Sequence, residues 1–291
     1  MSVRFKMKFH LSSILAAVVM LFAGCRDNVG LERVSWPTMG TVAAIQTKGD
    51  RDGVKGGKML ATTMSIFRDV ETLLNAHKPD SEISRLAPLS NEQVLQQCAK
   101  STKPCYEAAF ALAKATEGAF NPRWRGEGAL DLGAIAKGFA VDLACDDLGG
   151  EATDIPCLVD LGGNVKAVRG SWKTGVKNPE GEGFAAVVEL NEGEALATSA
   201  TYFRGSHIYD GRTNKPVEND VASVTVLCRS AMWADGLSTS LFVLGVDGGR
   251  KFLDARLNLP SAVGEVSAMW ILKDGRKVAH PAAASNRFQP F

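Results

Sequence analysis

The chain has 291 residues, 45% of them hydrophobic and 22% charged, with 33 basic against 32 acidic side chains. This is an ordinary globular balance, long enough to bury a large core. The near-neutral charge excludes the basic footprint of a nucleic-acid binder.

Arg4, Lys6 and Lys8 precede an apolar run at 11–22, and Ala23 and Gly24 then lead to Cys25. A charged segment, a short apolar core and small residues before a cysteine make a secretory signal. The run is marginal in length for a bilayer-spanning helix. The order resembles a bacterial lipobox. It makes 1–24 the cleaved signal, Cys25 the lipid anchor on the periplasmic side of the inner membrane, 25–30 a tether, and 31–291 one folded unit.

Residues 33–46 read as two strands broken at Pro37 and Gly40. A polar Gly-rich turn at 49–57 leads to a helix at 58–74, and 91–118 carries a helix with Tyr106, Phe110 and Ala113 on one face. Residues 131–142 begin as a strand end, turn at Gly133 and continue as a helix with Ile135, Phe139 and Leu143 in one apolar stripe. Gly149 and Gly150 supply its stop. A hairpin at 157–168 turns at Gly162-Gly163, strands follow at 172–176 and 185–190, and 223–227 reads as a buried strand. Ser230 caps a helix running to Leu244, with Trp233, Leu237, Leu241 and Leu244 inward and Gly245 as its stop. The remainder reads as strands and turns. Beyond Cys25 stand Cys98, Cys105, Cys145, Cys157 and Cys228. Export permits disulfides, with Cys98 and Cys105 the nearest pair, and a buried free thiol is the default for the others.

Three features carry chemistry. The joint at Gly133 leaves helix-start N–H groups where an anion can sit, with Lys137 beside them. An ordinary connection with a surface lysine has the same pattern. Asp235 and Thr239 are four apart and share a helix face, presenting a carboxylate and a hydroxyl as hard ligands for magnesium on substrate phosphates. A solvated polar face would read identically. His207 is a candidate proton acceptor, although a lone histidine is more often structural. The chain has no G-x-G-x-x-G, G-x-x-x-x-G-K-[ST], G-x-S-x-G or H-E-x-x-H pattern.

The order of these stretches is that of a known family. Asp131-Leu-Gly-Ala-Ile-Ala-Lys-Gly-Phe-Ala-Val-Asp142 resembles the Asp-Leu-Gly-Gly-Ile-Ala-Lys-Gly-Tyr-Ala-X-Asp signature of the FAD:protein FMN transferases, the ApbE family. Met39-Gly-Thr41, Pro79-Asp-Ser-Glu-Ile-Ser-Arg-Leu86, Gly118-Ala-Phe-Asn-Pro122, Asp160-Leu-Gly-Gly-Asn164, His207-Ile-Tyr-Asp210 and the Asp235/Thr239 pair are similar to its other motifs. The resemblance implies an α+β fold of mixed, largely antiparallel sheets with flanking helices. It places flavin against Met39, His77, Ala119, Phe120, Asn121 and Ile208, with Asp131 and Lys137 near its polar groups. It adds the Ala134 carbonyl to Asp235 and Thr239 as magnesium ligands. The implied reaction moves FMN from FAD onto a Thr or Ser hydroxyl of an acceptor protein and releases AMP.

Two departures stand out. His77 occupies the place of a stacking aromatic, and only 123–130 separates the Gly118 motif from the signature, where relatives carry a long insertion. Two other activities suit the same motifs: FAD hydrolysis to FMN and AMP, and flavin binding without catalysis.

Overall fold

The computed structural model describes residues 31–49, 54–150, 155–201, 208–255 and 259–291. Cys25 and His207 therefore lie outside the described residues. The chain begins with a hairpin, β1 (Leu31–Thr38) and β2 (Thr41–Lys48), followed by α1 (Val54–Leu74), α2 (Glu82–Leu86), α3 (Asn91–Gln97), α4 (Lys103–Ala115) and α5 (Ala136–Gly150). Strands β3 (Cys157–Leu161), β4 (Asn164–Arg169), β5 (Trp172–Lys177), β6 (Phe184–Leu190) and β7 (Ala195–Ala200) come next. After them run β8 (Tyr209–Asp210), β9 (Lys215–Pro216), β10 (Val221–Cys228), α6 (Ala231–Asp254), β11 (Ser267–Leu272), β12 (Lys277–His280) and β13 (Gln289–Pro290).

Eight strands in the order β1-β2-β3-β4-β7-β10-β11-β12 form the central sheet, and each pairing between them is antiparallel. Helices α1, α5 and α6 pack on it from one side. A small sheet, β13-β6-β5, contributes Trp172, Val176, Val188 and Leu190 to a second core beyond the other face. A sheet covered on both faces has apolar residues pointing both ways, so its strands read as continuous apolar runs. Strand β3 shows this: Val159 and Leu161 join the helix-side core while Leu158 joins the other.

Several local details differ from the sequence reading. The stretch 91–118 holds two helices, because Ser90 and Gln93 form a capping box for α3 while Pro104 opens α4, each a start signal. No strand leads directly into Asp131, and the segment from 121 to it is irregular. At Gly245 (φ 69°, ψ −174°) α6 breaks, but it resumes and runs to Asp254. Cys98 and Cys105 are not joined: the five cysteines among the described residues are free, and four are buried.

The register of the sheet gathers the motifs at one end. Thr38 pairs with Thr41, leaving Met39-Gly40 as a two-residue turn, and Leu161 pairs with Asn164 across Gly162-Gly163. Gly162 N–H donates to the Val42 carbonyl at 3.0 Å, so the two turns are neighbours. Val165 pairs with Leu196 in the antiparallel strand β7, which carries Ser199 toward the same end. Met39 sits at φ 48° and Gly40 at φ 67°. A type I′ turn requires both to be left-handed and favours Asn-Gly; a methionine there holds a conformation costly for its side chain.

Candidate active site

Helices α5 and α6 build the site, and Asp142 locks them together. Its carboxylate accepts hydrogen bonds from Ser230 Oγ at 2.6 Å, from the Ala231 and Met232 N–H groups at 2.9 Å each, and from Lys166 Nζ at 2.7 Å. One side chain of α5 thereby satisfies the orphan amides at the start of α6 and places negative charge at its positive end. One turn before Asp142, Gly138 lets the two backbones touch. A Cβ there would lie 2.1 Å from the Ala231 carbonyl oxygen and 2.8 Å from Asp235 Cβ.

That close approach delivers Asp235. Its side chain sits beside Gly138, whose N–H donates to Oδ2 at 3.0 Å, and Lys137 Nζ lies 3.4 and 3.3 Å from Oδ1 and Oδ2. The residue is 5% exposed, so the carboxylate is held by an amide and an ammonium at the edge of solvent. Lys137 Nζ also donates to the Gly133 carbonyl at 3.0 Å. One turn along α6, Thr239 Oγ1 lies 2.9 Å from Ser199 Oγ, which is itself 2.9 Å from Ser238 Oγ. Asp235 and Thr239 thus share a face that is not a freely solvated one: the first is buried, the second half-buried.

The start of α5 differs from the expected row of open amides. Gly133 N–H donates to Asp131 Oδ1 at 2.8 Å, and the Ile135 and Ala136 N–H groups donate to the Leu132 carbonyl. Positive character at this opening comes instead from side chains, Lys137 and Arg125, whose guanidinium lies 3.2 Å from Asp131 Oδ2. Ala134 is half-buried in the same turn.

Of the residues expected around flavin, Ala119, Phe120 and Ile208 are buried. Gly211 N–H donates to the Ala119 carbonyl at 3.1 Å, and Asn121 Nδ2 donates to the Gly211 carbonyl at 3.4 Å. A Cβ on Gly211 would fall 2.3 Å from Asn121 Cβ, so a side chain there would push the strip away. Met39 is half-buried against the helix-side core. His77 is exposed just beyond α1, its N–H donating to Asn75 Oδ1 at 2.9 Å.

Among the described residues no group of three or more His, Cys, Asp or Glu could hold a metal. A cation here would rely on one carboxylate with hydroxyl and carbonyl oxygens. That hard-oxygen set fits magnesium and does not fit zinc.

Sequence reading missed Asp142, Gly138, Ser199 and Arg125. Asp142 closes the signature itself and lies one turn from Gly138, which was the available clue. Its partners, however, are distant: Lys166 lies 24 positions away and those on α6 lie 88 to 90 away.

A buried carboxylate beside an ammonium, hydroxyls one turn along, and an arginine at the lip give a site suited to an anionic, metal-bound ligand. Comparison with known proteins gives the class a family. The model of the ApbE family matches residues 39–126 and 123–262, and the chain belongs to that family. It is 26% identical over 342 residues to an FAD:protein FMN transferase of Vibrio cholerae, covering 96% of this chain and 98% of that one. It is 29% identical over 318 residues to one of Haemophilus influenzae, covering 83% and 89%. Among solved structures, the fold is similar to the flavin transferase ApbE from Vibrio cholerae, with a TM-score of 0.71 and 24% identity over 87% of this chain and 98% of that one. The apo flavinyl transferase ApbE of Pseudomonas stutzeri has a TM-score of 0.72 at 21% identity, covering 90% and 98%.

Proposed function

We propose that this chain is an FAD:protein FMN transferase that uses magnesium and modifies a Thr or Ser hydroxyl on an acceptor protein. The observation that carries the reading is the meeting of the signature with the Asp235/Thr239 pair: Lys137 from one touches Asp235 from the other. Such pairs of distant motifs converge where a phosphate must be both bound and neutralised.

In this reading the oxygen of the acceptor hydroxyl bonds to the FMN-side phosphorus of FAD. The pyrophosphate P–O bond on that phosphorus breaks, and AMP leaves with the bridging oxygen. His207 accepts the hydroxyl proton, a role supported by its place in the His-Ile-Tyr-Asp motif. Asp235 and Thr239, with the Ala134 carbonyl, would hold the cation, and when bound it neutralises charge on the pyrophosphate. Lys137 supplies a second positive charge beside the same oxygens. Asp131, fixed by Arg125, orients the turn at Gly133. Met39, His77, Ala119, Phe120, Asn121 and Ile208 would border the isoalloxazine. The lipobox-like residues up to Cys25 support tethering to the inner membrane on its periplasmic side.

Incubating the protein with FAD, Mg²⁺ and a candidate acceptor tests the reading. Covalent flavin fluorescence on the acceptor, with one AMP released per flavin attached, is the expected result. Free FMN with AMP in the presence of a competent acceptor would make the protein a pyrophosphatase. Unchanged FAD under the same conditions would make it a flavin-binding protein.

A further inference from the structure

The short segment between the Gly118 motif and the signature is a built element. Asp131 N–H donates to the Pro122 carbonyl at 2.8 Å, closing 122–131 into a compact loop whose ends meet, the form of an Ω-loop. Arg123 fastens it from behind. Its guanidinium donates to Asn91 Oδ1 and to the carbonyls of Ala87, Leu89 and Ala129 at 2.6 to 3.2 Å. A loop pinned at its neck and through one arginine can present its next side chains in a fixed direction.

Those next side chains are Trp124 and Arg125. The Trp124 ring stacks on Tyr209, centroids 4.4 Å apart and planes 20° from parallel. Arg125 lies 4.7 Å over the Trp124 ring and 3.2 Å from Asp131 Oδ2. Tyr209 follows Ile208 directly and opens the β8–β9 hairpin, which rests on Ala119 and Asn121 through Gly211. Two consecutive residues therefore reach two of the stretches read above as borders of the flavin: Ile208–Gly211 through Tyr209, and Asp131–Gly133 through Arg125.

We propose that Trp124 is a positioning residue that sets the spacing of these two borders and hence the affinity for FAD. It rests on the flavin reading above and goes beyond it, since neither Trp124 nor Tyr209 belongs to the residues expected to touch flavin or metal. The stack is close, near-parallel and half-buried, and deleting it frees Tyr209 to move with the hairpin. An aromatic pair is worth enough to change an equilibrium constant by roughly three- to tenfold.

The test measures FAD binding by quenching of flavin fluorescence, together with KM, kcat and melting temperature, for wild type, Trp124→Leu, Trp124→Phe and Tyr209→Leu. Trp124→Leu should raise the FAD dissociation constant and KM about three- to tenfold with kcat changed less than about twofold. Trp124→Phe should restore most of the affinity. Tyr209→Leu should match Trp124→Leu, and the double variant should be no worse than either alone. Unchanged binding in both single variants would overturn the proposal. So would parallel losses of kcat, affinity and melting temperature that Phe does not rescue. Wild-type protein that fails to bind FAD at all would instead remove the flavin reading, and the proposal with it.

Discussion

Asp142→Asn tests how the two site helices are held. The carboxylate accepts four donors, Lys166 Nζ and Ala231 N–H on Oδ1, Ser230 Oγ and Met232 N–H on Oδ2. Asparagine keeps one acceptor oxygen and turns an amine toward the other pair. With the amine in the place of Oδ2, Ser230 can rotate and accept, but the Met232 N–H loses its acceptor, a cost of about 1–3 kcal/mol. Loss of the charge removes the match to the positive end of α6, about 0.3–2 kcal/mol, and strips Lys166 of its counter-ion. The whole change should fall in the range for breaking a buried ion pair, about 3–5 kcal/mol, which lowers the melting temperature by roughly 10 °C for a chain of this length. Burial lowers the Lys166 pKa, and the charge and hydrogen bond of Asp142, with smaller contributions from Cys145 and Asp146, together outweigh it and leave it raised. A lysine raised in the folded state contributes stability below about pH 10.4 and loses it as pH climbs through the folded value. Wild type should therefore lead the variant widely at neutral pH, and the gap should narrow in alkali. Thermal melts followed by circular dichroism from neutral to alkaline pH measure both effects. A variant that melts with wild type at neutral pH would refute the staple, and a gap that persists unchanged in alkali would refute the role of Lys166.

Gly138→Ala should force α5 and α6 apart by about 1 Å, since an ordinary carbon–oxygen contact is about 3.3 Å and the new methyl would start 2.1 Å from the Ala231 oxygen. Overpacking of about 1–3 kcal/mol against about 1 kcal/mol of regained helix propensity leaves a small stability loss, while flavin transfer should fall at least tenfold; full transfer activity would show the spacing to be unimportant. Lys137→Met leaves the Asp235 carboxylate without its ammonium, so the metal-free protein should melt lower and recover on adding Mg²⁺. A melting temperature unmoved by the substitution would mean that the pair carries no weight. His77→Tyr, on an exposed position, should tighten FAD binding by about 0.5–1.5 kcal/mol, and weaker binding measured by fluorescence titration would contradict its place at the flavin. Cys25→Ala should shift the protein out of the membrane fraction; identical partitioning of variant and wild type would argue against a lipid anchor.

Elements whose signal is local were legible in the sequence. The hairpin at Gly162-Gly163 needs only two glycines between two largely apolar strands, and both adopt positive φ. Ser230 caps α6 as its position implies, its Oγ accepting from Trp233 N–H at 3.2 Å. Where tertiary contacts decide, the sequence misleads. Glycines at 245, 248 and 249 spell a stop, yet the helix continues because Gly249 is a packing residue: a Cβ there would meet Trp270 at 2.6 Å. Phe252 then buries itself beyond it, and packing outweighs the poor helix propensity of glycine. Asp142 was invisible for the opposite reason. Its spacing fits a helix of any kind, and only the fold brings Ser230 and Lys166 to it.

The five free thiols among the described residues give the molecule its own set of opening reporters. Burial pushes Cys157 and Cys228 up to about 12 and raises Cys105 and Cys145 as well, so in the closed protein almost no thiolate is offered to an alkylating reagent. Cys105 lies in α4, Cys145 in α5, Cys157 in β3 and Cys228 in β10, while the half-buried Cys98 ends α3. Each of the four buried thiols reacts only when its own element parts from the core, at a rate set by the free energy of that local opening. Timed labelling of the unmodified protein would therefore rank the layers by the ease with which they come apart, and would show whether a ligand placed between α5 and α6 slows Cys145 alone or the whole helix-side layer together.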